Sequence, residues 1–164
     1  MDPVSASVTI GRPAEEIFEY LLDMANHQEF SDHYLVDWHL TRTDSVGRGA
    51  GARFRLKLRR NRFGWADVTI TDVQAPRRIV EAGRGGKFNR VRLVSIFELT
   101  PGPSGTTRVA LITETDPVTL ADRLMESLGM RSWMRRQTER AMRRLRSILE
   151  EDDNRGPRTT IAGL

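Results

Sequence analysis

Residues 4–22 read VSASVTIGRPAEEIFEYLL, and this stretch decides the fold because its period changes midway. Val4, Ala6, Val8 and Ile10 alternate with Ser5, Ser7 and Thr9, the period of two of a half-buried strand. Gly11-Arg12-Pro13 stops the strand, and Pro13 suits the first turn of a helix, where its missing N–H costs nothing. Ile17, Phe18, Leu21 and Leu22 then recur at helical spacing with Glu15, Glu16 and Glu19 between them. The early glutamates complement the positive end of the helix dipole. A strand therefore passes directly into an amphipathic helix, roughly Pro13 to Leu22.

Downstream, Asp23 to Asp32 is less regular and predicts a second short helical turn. Strand-like runs follow: Leu35 to Thr43, Ala52 to Arg59, Trp65 to Val73, Arg78 to Ala82, Val91 to Thr100 and Thr106 to Thr115. Gly47-Arg48-Gly49-Ala50-Gly51, Asn61 to Gly64, Ala75-Pro76, Gly83 to Gly86 and Pro101 to Gly105 supply turn chemistry between them. From about Val118 to about Glu151 the pattern is helical. One apolar row runs through Leu120, Leu124 and Leu128, and a second through Met134, Ala141, Leu145 and Ile148. Gly129 falls between the rows and predicts a kink. With short links and no room for parallel crossovers, the sheet is antiparallel, and the long helix needs a concave sheet face to cover it. The expectation is an α+β fold with about seven strands, one or two short helices after the first strand and a long C-terminal helix. One domain spans residues 1–151, and the Gly-, Pro- and polar-rich tail 152–164 is expected to be mobile.

The 164 residues suffice for one real core, and 38% hydrophobic against 29% charged residues excludes a disordered chain. No cysteine is present, which removes disulfides, thiolate nucleophiles and Cys-ligated zinc together. Met-Asp-Pro-Val-Ser-Ala-Ser lacks a basic segment followed by an apolar one, so no signal peptide is expected. No apolar run approaches bilayer length, and a cytoplasmic location is expected. The net charge is +4, carried mainly by arginine, with Lys57 and Lys87 the two lysines.

Val8-Thr9-Ile10-Gly11-Arg12-Pro13-Ala14-Glu15-Glu16-Ile17-Phe18, then Leu22-Asp23 and Phe30, resemble the polyketide cyclase/dehydrase branch of the START-like superfamily (SRPBCC, Bet v 1-like). Val46-Gly47-Arg48-Gly49, Ala75-Pro76-Arg77-Arg78 and Gly105-Thr106-Thr107-Arg108-Val109 are similar to later phrases of the same family. The resemblance covers roughly residues 4–150 and rests on the order of the phrases. It implies a helix-grip fold with an internal cavity for a lipophilic ligand. It implies no single reaction, because members include polyketide cyclases and aromatases, lipid and quinone carriers, and regulators.

Binding or transfer of a hydrophobic small molecule (lipid, quinone or polyketide-like) is therefore the leading reading. The enzymatic alternative is a cyclase or aromatase acting on a carrier-bound polyketide precursor, and a non-catalytic stress or regulatory module is the third. Candidate cavity residues are Trp38, Phe54, Trp65, Trp133, Met134 and Gln137, with replacement of Trp65 or Trp133 by alanine expected to weaken binding. Candidate polar residues facing the cavity are His39, Asp67, Glu81, Arg92, Ser95 and Glu114, although a one-residue error in strand phase reverses each. The resemblance implies, for a cyclase, an arginine with hydroxyl or carboxyl partners; no specific cyclase motif is matched.

His27, His33 and His39 are spaced by six, which fits neither a helical turn nor a strand face, so no metal site is expected, and no cofactor. Gly47-x-Gly49-x-Gly51 precedes a strand rather than a helix and is not a nucleotide loop. A basic surface is expected from Arg53, Arg55, Lys57 and Arg59 on one strand face and from Arg136, Arg140 and Arg143 on the helix. It suits an acidic carrier protein or an anionic membrane surface. Nucleic acid is not expected, since no aromatic residues interleave with the arginines.

Overall fold

Alternating side chains and short reversals bring the seven strands into one antiparallel sheet. The computed structural model describes residues 3–57, 64–117, 130–153 and 155–161. The chain runs β1 (Val4–Ile10), α1 (Ala14–Leu22), a 3-10 turn (Met24–Asn26) and α2 (His27–Ser31) before the strand series. That series is β2 (Leu35–Leu40), β3 (Gly51–Leu56), β4 (Trp65–Gln74), β5 (Arg78–Gly85), β6 (Val91–Pro101) and β7 (Thr107–Pro117). The long helix α3 covers Arg131–Glu151. Among the described residues no helix is long and apolar enough to cross a membrane.

Pro13 caps α1 rather than entering it, and Ala14, Ile17, Phe18 and Leu21 form its buried face. Strand order is β1-β7-β6-β5-β4-β3-β2. The strands on either side of the short helices therefore form the two edges of a curved half-barrel, and the helices bridge its open side. Irregular register between Val36 and His39 and between Ile70 and Asp72 bends the sheet. Gly83 lets β5 approach β4 so closely that a Cβ there would collide with the Asp67 carbonyl. Packing on the concave face are α1 and, along one side, α3, which buries Ala141, Met142, Leu145 and Ile148. The Leu120–Leu128 row, the kink at Gly129 and the turn at 61–63 lie outside the described residues.

The C-terminal segment differs from the expected mobile tail. Residues 155–161 form a strap across the 3-10 turn, α2 and β2. Gly156 N donates to Glu29 O (2.9 Å), Thr159 N to Ala25 O (2.9 Å) and Leu40 N to Thr160 O (3.1 Å). Thr159 is buried, and Ile161 packs on the core. The strap's polar composition concealed this role, because it is held by backbone hydrogen bonds and ion pairs rather than by an apolar face.

Candidate functional site

Strand pairing fixes which side chains face the grip. Ile70, Glu81, Ser95, Thr113 and Val4 stand opposite one another in consecutive strands and form one row across the sheet. Buried Phe97, Leu99, Val109 and Leu111 pack the concave face on one side of this row. On the other side Val91, Leu93 and Thr115 share the inward phase but are only half-buried, as are Ser95 and Thr113. Side chains that face inward yet keep solvent access mark a concave surface the core does not fill. Glu81 lies at that boundary, 6% exposed.

Glu81 is also the sole ionisable side chain in the inward phase of the described strand residues; Arg53, Asp67, Arg84, Arg92, Glu98, Arg108 and Glu114 all have the opposite phase. Its partner comes from α2. His27, 3% exposed, sets Nδ1 3.1 Å from Glu81 Oε1 and Nε2 2.7 Å from the Leu21 carbonyl. Rings of Phe30 and Phe97 flank the imidazole at centroid distances of 5.6 and 5.5 Å. Both ring nitrogens thus face acceptors, which favours protons on both. Burial opposes the charged imidazole, but the Glu81 charge and hydrogen-bonding capacity, with the Leu21 carbonyl, outweigh it and raise the His27 pKa. Oε1 of Glu81 is buried against His27 Nδ1 in an ion pair rather than an aligned hydrogen bond, and a carboxylate can accept further hydrogen bonds.

Two hydroxyls complete the polar cluster. Tyr34, buried just after α2, makes an edge contact with Trp133 (6.3 Å). Burial raises its pKa, Thr138 opposes that through a hydrogen bond, and the Glu81 charge raises it further, so the phenol stays protonated. Thr138 occupies a buried position on α3 and donates to the Met134 carbonyl (3.0 Å). A carboxylate–imidazole pair with neighbouring hydroxyls, set in an apolar wall, can orient a polar group or move a proton.

The candidate residues separate clearly. Trp38 stacks on Phe54 (centroids 4.5 Å), and Trp133 and Met134 pack partly buried against the core. Glu81 and Ser95 stand opposite each other in the inward phase. Trp65, by contrast, is 37% exposed on the outer face, with His39 beside it (6.1 Å). Asp67 is also outside, holding Arg53 through two hydrogen bonds of 2.7 and 2.9 Å. Arg92 and Glu114 are exposed there too. Each has the opposite strand phase from Glu81, which corrects the expectation that these five line the cavity. Gln137 is half-buried, and its carbonyl meets His33 Nε2 (3.2 Å); the buried polar position beside it is Thr138.

His27, Tyr34 and Thr138 were missed. Thr138 had a signal, since it continues the Met134–Ala141–Leu145 row at helical spacing. His27 had a weaker one, a histidine among Met24, Ala25 and Phe30. Nothing local connects either to Glu81.

On the outer surface, Arg55 pairs with Asp37 (2.6 Å), Arg135 with Glu139 (3.1 Å) and Arg146 with Glu150 (2.9 Å). Lys57, Arg136, Arg140 and Arg143 are exposed, and Arg59 lies outside the described residues. A groove of about 660 Å³ runs between the convex side of β1, β7 and β6 and α3, bordered by Arg108, Arg135, Arg143, Glu98 and Glu139. Its charged border distinguishes it from the apolar grip. Among the described residues no three His, Cys, Asp or Glu side chains gather as a metal site.

The family model described as polyketide cyclase / dehydrase and lipid transport matches residues 1–150. No curated protein matches the chain. Among solved structures, a protein from Thermus thermophilus superposes with a TM-score of 0.67 at 15% identity, covering 88% of this chain and 94% of its own. Truncated norcoclaurine synthase from Thalictrum flavum gives 0.67 at 11% identity, covering 92% and 94%. DynU16, from the dynemicin biosynthetic locus, gives 0.63 at 16% identity over 95% of this chain and 50% of that one. At such identities the likeness shows the shared fold.

Proposed function

We propose, from the premise that the chain belongs to the polyketide cyclase / dehydrase and lipid transport family, that it binds or transfers a hydrophobic small molecule in the grip between sheet and helices. The observation that carries this reading is the inward-facing but half-buried surface of Val91, Leu93, Ser95, Thr113 and Thr115 beside the buried Glu81. A wall that mixes apolar and hydroxyl side chains beside one buried carboxylate suits a lipophilic molecule bearing a polar group. Native mass spectrometry of protein purified gently from its host, followed by extraction, tests it. A co-purifying lipid, quinone or polyketide-like compound is the expected result. Protein that is empty and also fails to take up an uncharged hydrophobic dye would contradict the reading.

The Glu81–His27 pair favours one second reading, acid–base chemistry of the cyclase or aromatase kind. In that case Glu81 would accept a proton from an acidic carbon and Tyr34 would donate to the developing enolate oxygen. Turnover of an extracted ligand, lost in Glu81→Gln with binding retained, separates enzyme from carrier. Exposed Arg136, Arg140 and Arg143 provide a surface for an anionic delivery partner, an acidic carrier protein or an anionic membrane.

A further inference from the structure

We propose, resting on the hydrophobic-ligand reading above, that the ligand presents an uncharged hydrogen-bond donor, a hydroxyl or phenol, to Glu81, and that the grip rejects anionic head groups. Three observations carry this. Glu81 is the single ionisable group in the inward phase of the described strands, so no strand cation waits there for a carboxylate or phosphate. Its Oε1 meets His27 Nδ1 at 3.1 Å, and a carboxylate accepts more than one hydrogen bond, so acceptor capacity is left for a ligand's donor. Its charge is already balanced by one partner, His27, at 3.1 Å.

While His27 holds its proton, as its raised pKa favours, the pair is neutral as a unit. An anionic ligand brought against it would add an uncompensated negative charge in an apolar setting, which is strongly unfavourable. An ammonium would compete with His27 for one carboxylate and displace a proton. A hydroxyl adds no charge and supplies a further donor to the carboxylate, and the nearby Ser95, Tyr34 and Thr138 hydroxyls can accept or donate around it. Long-chain alcohols and phenols satisfy this chemistry, whereas free fatty acids and phospholipid phosphates do not.

The test uses the full-length wild-type protein with Nile red, an uncharged hydrophobic dye, as reporter. Three competitors share one ring system: 2-naphthol, methyl 2-naphthoate and 2-naphthoate, at neutral pH. The expected order of displacement is naphthol tightest, the ester next and the anion weakest, with naphthol ahead of the anion by about tenfold or more. The ester controls for hydrophobicity, because it is uncharged but lacks a donor. Naphthoate displacing the dye as well as naphthol overturns the inference, and so does an ester equal to or tighter than naphthol. In a folded Glu81→Gln variant, which keeps shape but loses the charge, the gap between naphthol and naphthoate should narrow to within about threefold; an unchanged gap also overturns it. Failure of Nile red itself to bind removes the hydrophobic-ligand reading and this inference together, whereas dye binding with the wrong order of competitors removes only the latter.

Discussion

A histidine between a carboxylate and a carbonyl links stability to pH in a defined direction. The groups facing His27 are Glu81 from β5, the Leu21 carbonyl from α1 and the rings of Phe30 and Phe97, with Asp23 acting at longer range. Its folded pKa is raised above the ordinary value of 6.5. The fold therefore holds the proton more tightly than the unfolded chain, and this contribution is complete below 6.5 and fades as pH rises through the folded value. Thermal melts from about pH 6 to about pH 9 should show wild type losing stability and His27→Gln losing less; parallel curves would contradict the pairing. Gly83 gives a backbone counterpart. Gly83→Ala should destabilise by about 1–3 kcal/mol in urea, because the added Cβ meets the Asp67 carbonyl. Residue-level legibility depended on strand phase. Ala66, Val68 and Ile70 alternate with Asp67 and Thr69, so β4's inner face could be read. The size of Trp65 drew it into the cavity reading although its phase put it outside. In β2 the positive φ of Asp37 breaks the alternation, which sequence could not show.

At the scale of elements, the strap joins parts that strand periodicity does not connect. Arg155 reaches Glu29 Oε2 at 2.6 Å; Glu29 is 4% exposed and also accepts from Tyr20 Oη at 2.8 Å. Arg158 pairs with Asp23, and Thr159 Oγ1 donates to Gln28 Oε1 (3.0 Å). These contacts fall on the segment that carries His27, so strap and site are mechanically linked. Arg155→Ala leaves the buried Glu29 carboxylate short of a partner and should cost about 1–3 kcal/mol. Arg146→Ala, at an exposed and solvent-screened pair, should leave stability nearly unchanged. Hydrogen exchange should quicken in residues 24–31 for the first variant and not for the second; equal exchange would detach the strap from the site. Helices and strands were legible from their periods. The strap was not, because backbone hydrogen bonds leave no pattern in composition.

For the molecule as a whole, the order strand, helices, six strands and helix was enough to define the helix grip, since short links leave antiparallel pairing as the economical arrangement. The site was harder to read, since it joins Glu81 of β5, His27 and Tyr34 of the α2 segment and Thr138 of α3 from three separate parts of the chain. Ligand affinity separates the two tryptophans: Trp133→Ala should weaken binding, whereas Trp65→Ala, on the outer face, should leave it within about twofold. The most direct test of the central claim is methyl NMR of the labelled protein titrated with an uncharged hydrophobic probe such as 2-naphthol. Neighbouring residues on β6 and β7 serve as internal controls, because alternate side chains face opposite sides. The account predicts shifts at Val91 and Leu93, with little change at Val94, Ile96 and Ile112 of opposite phase. Shifts confined to Ile112 and the outer groove, with Leu93 unmoved, would contradict it.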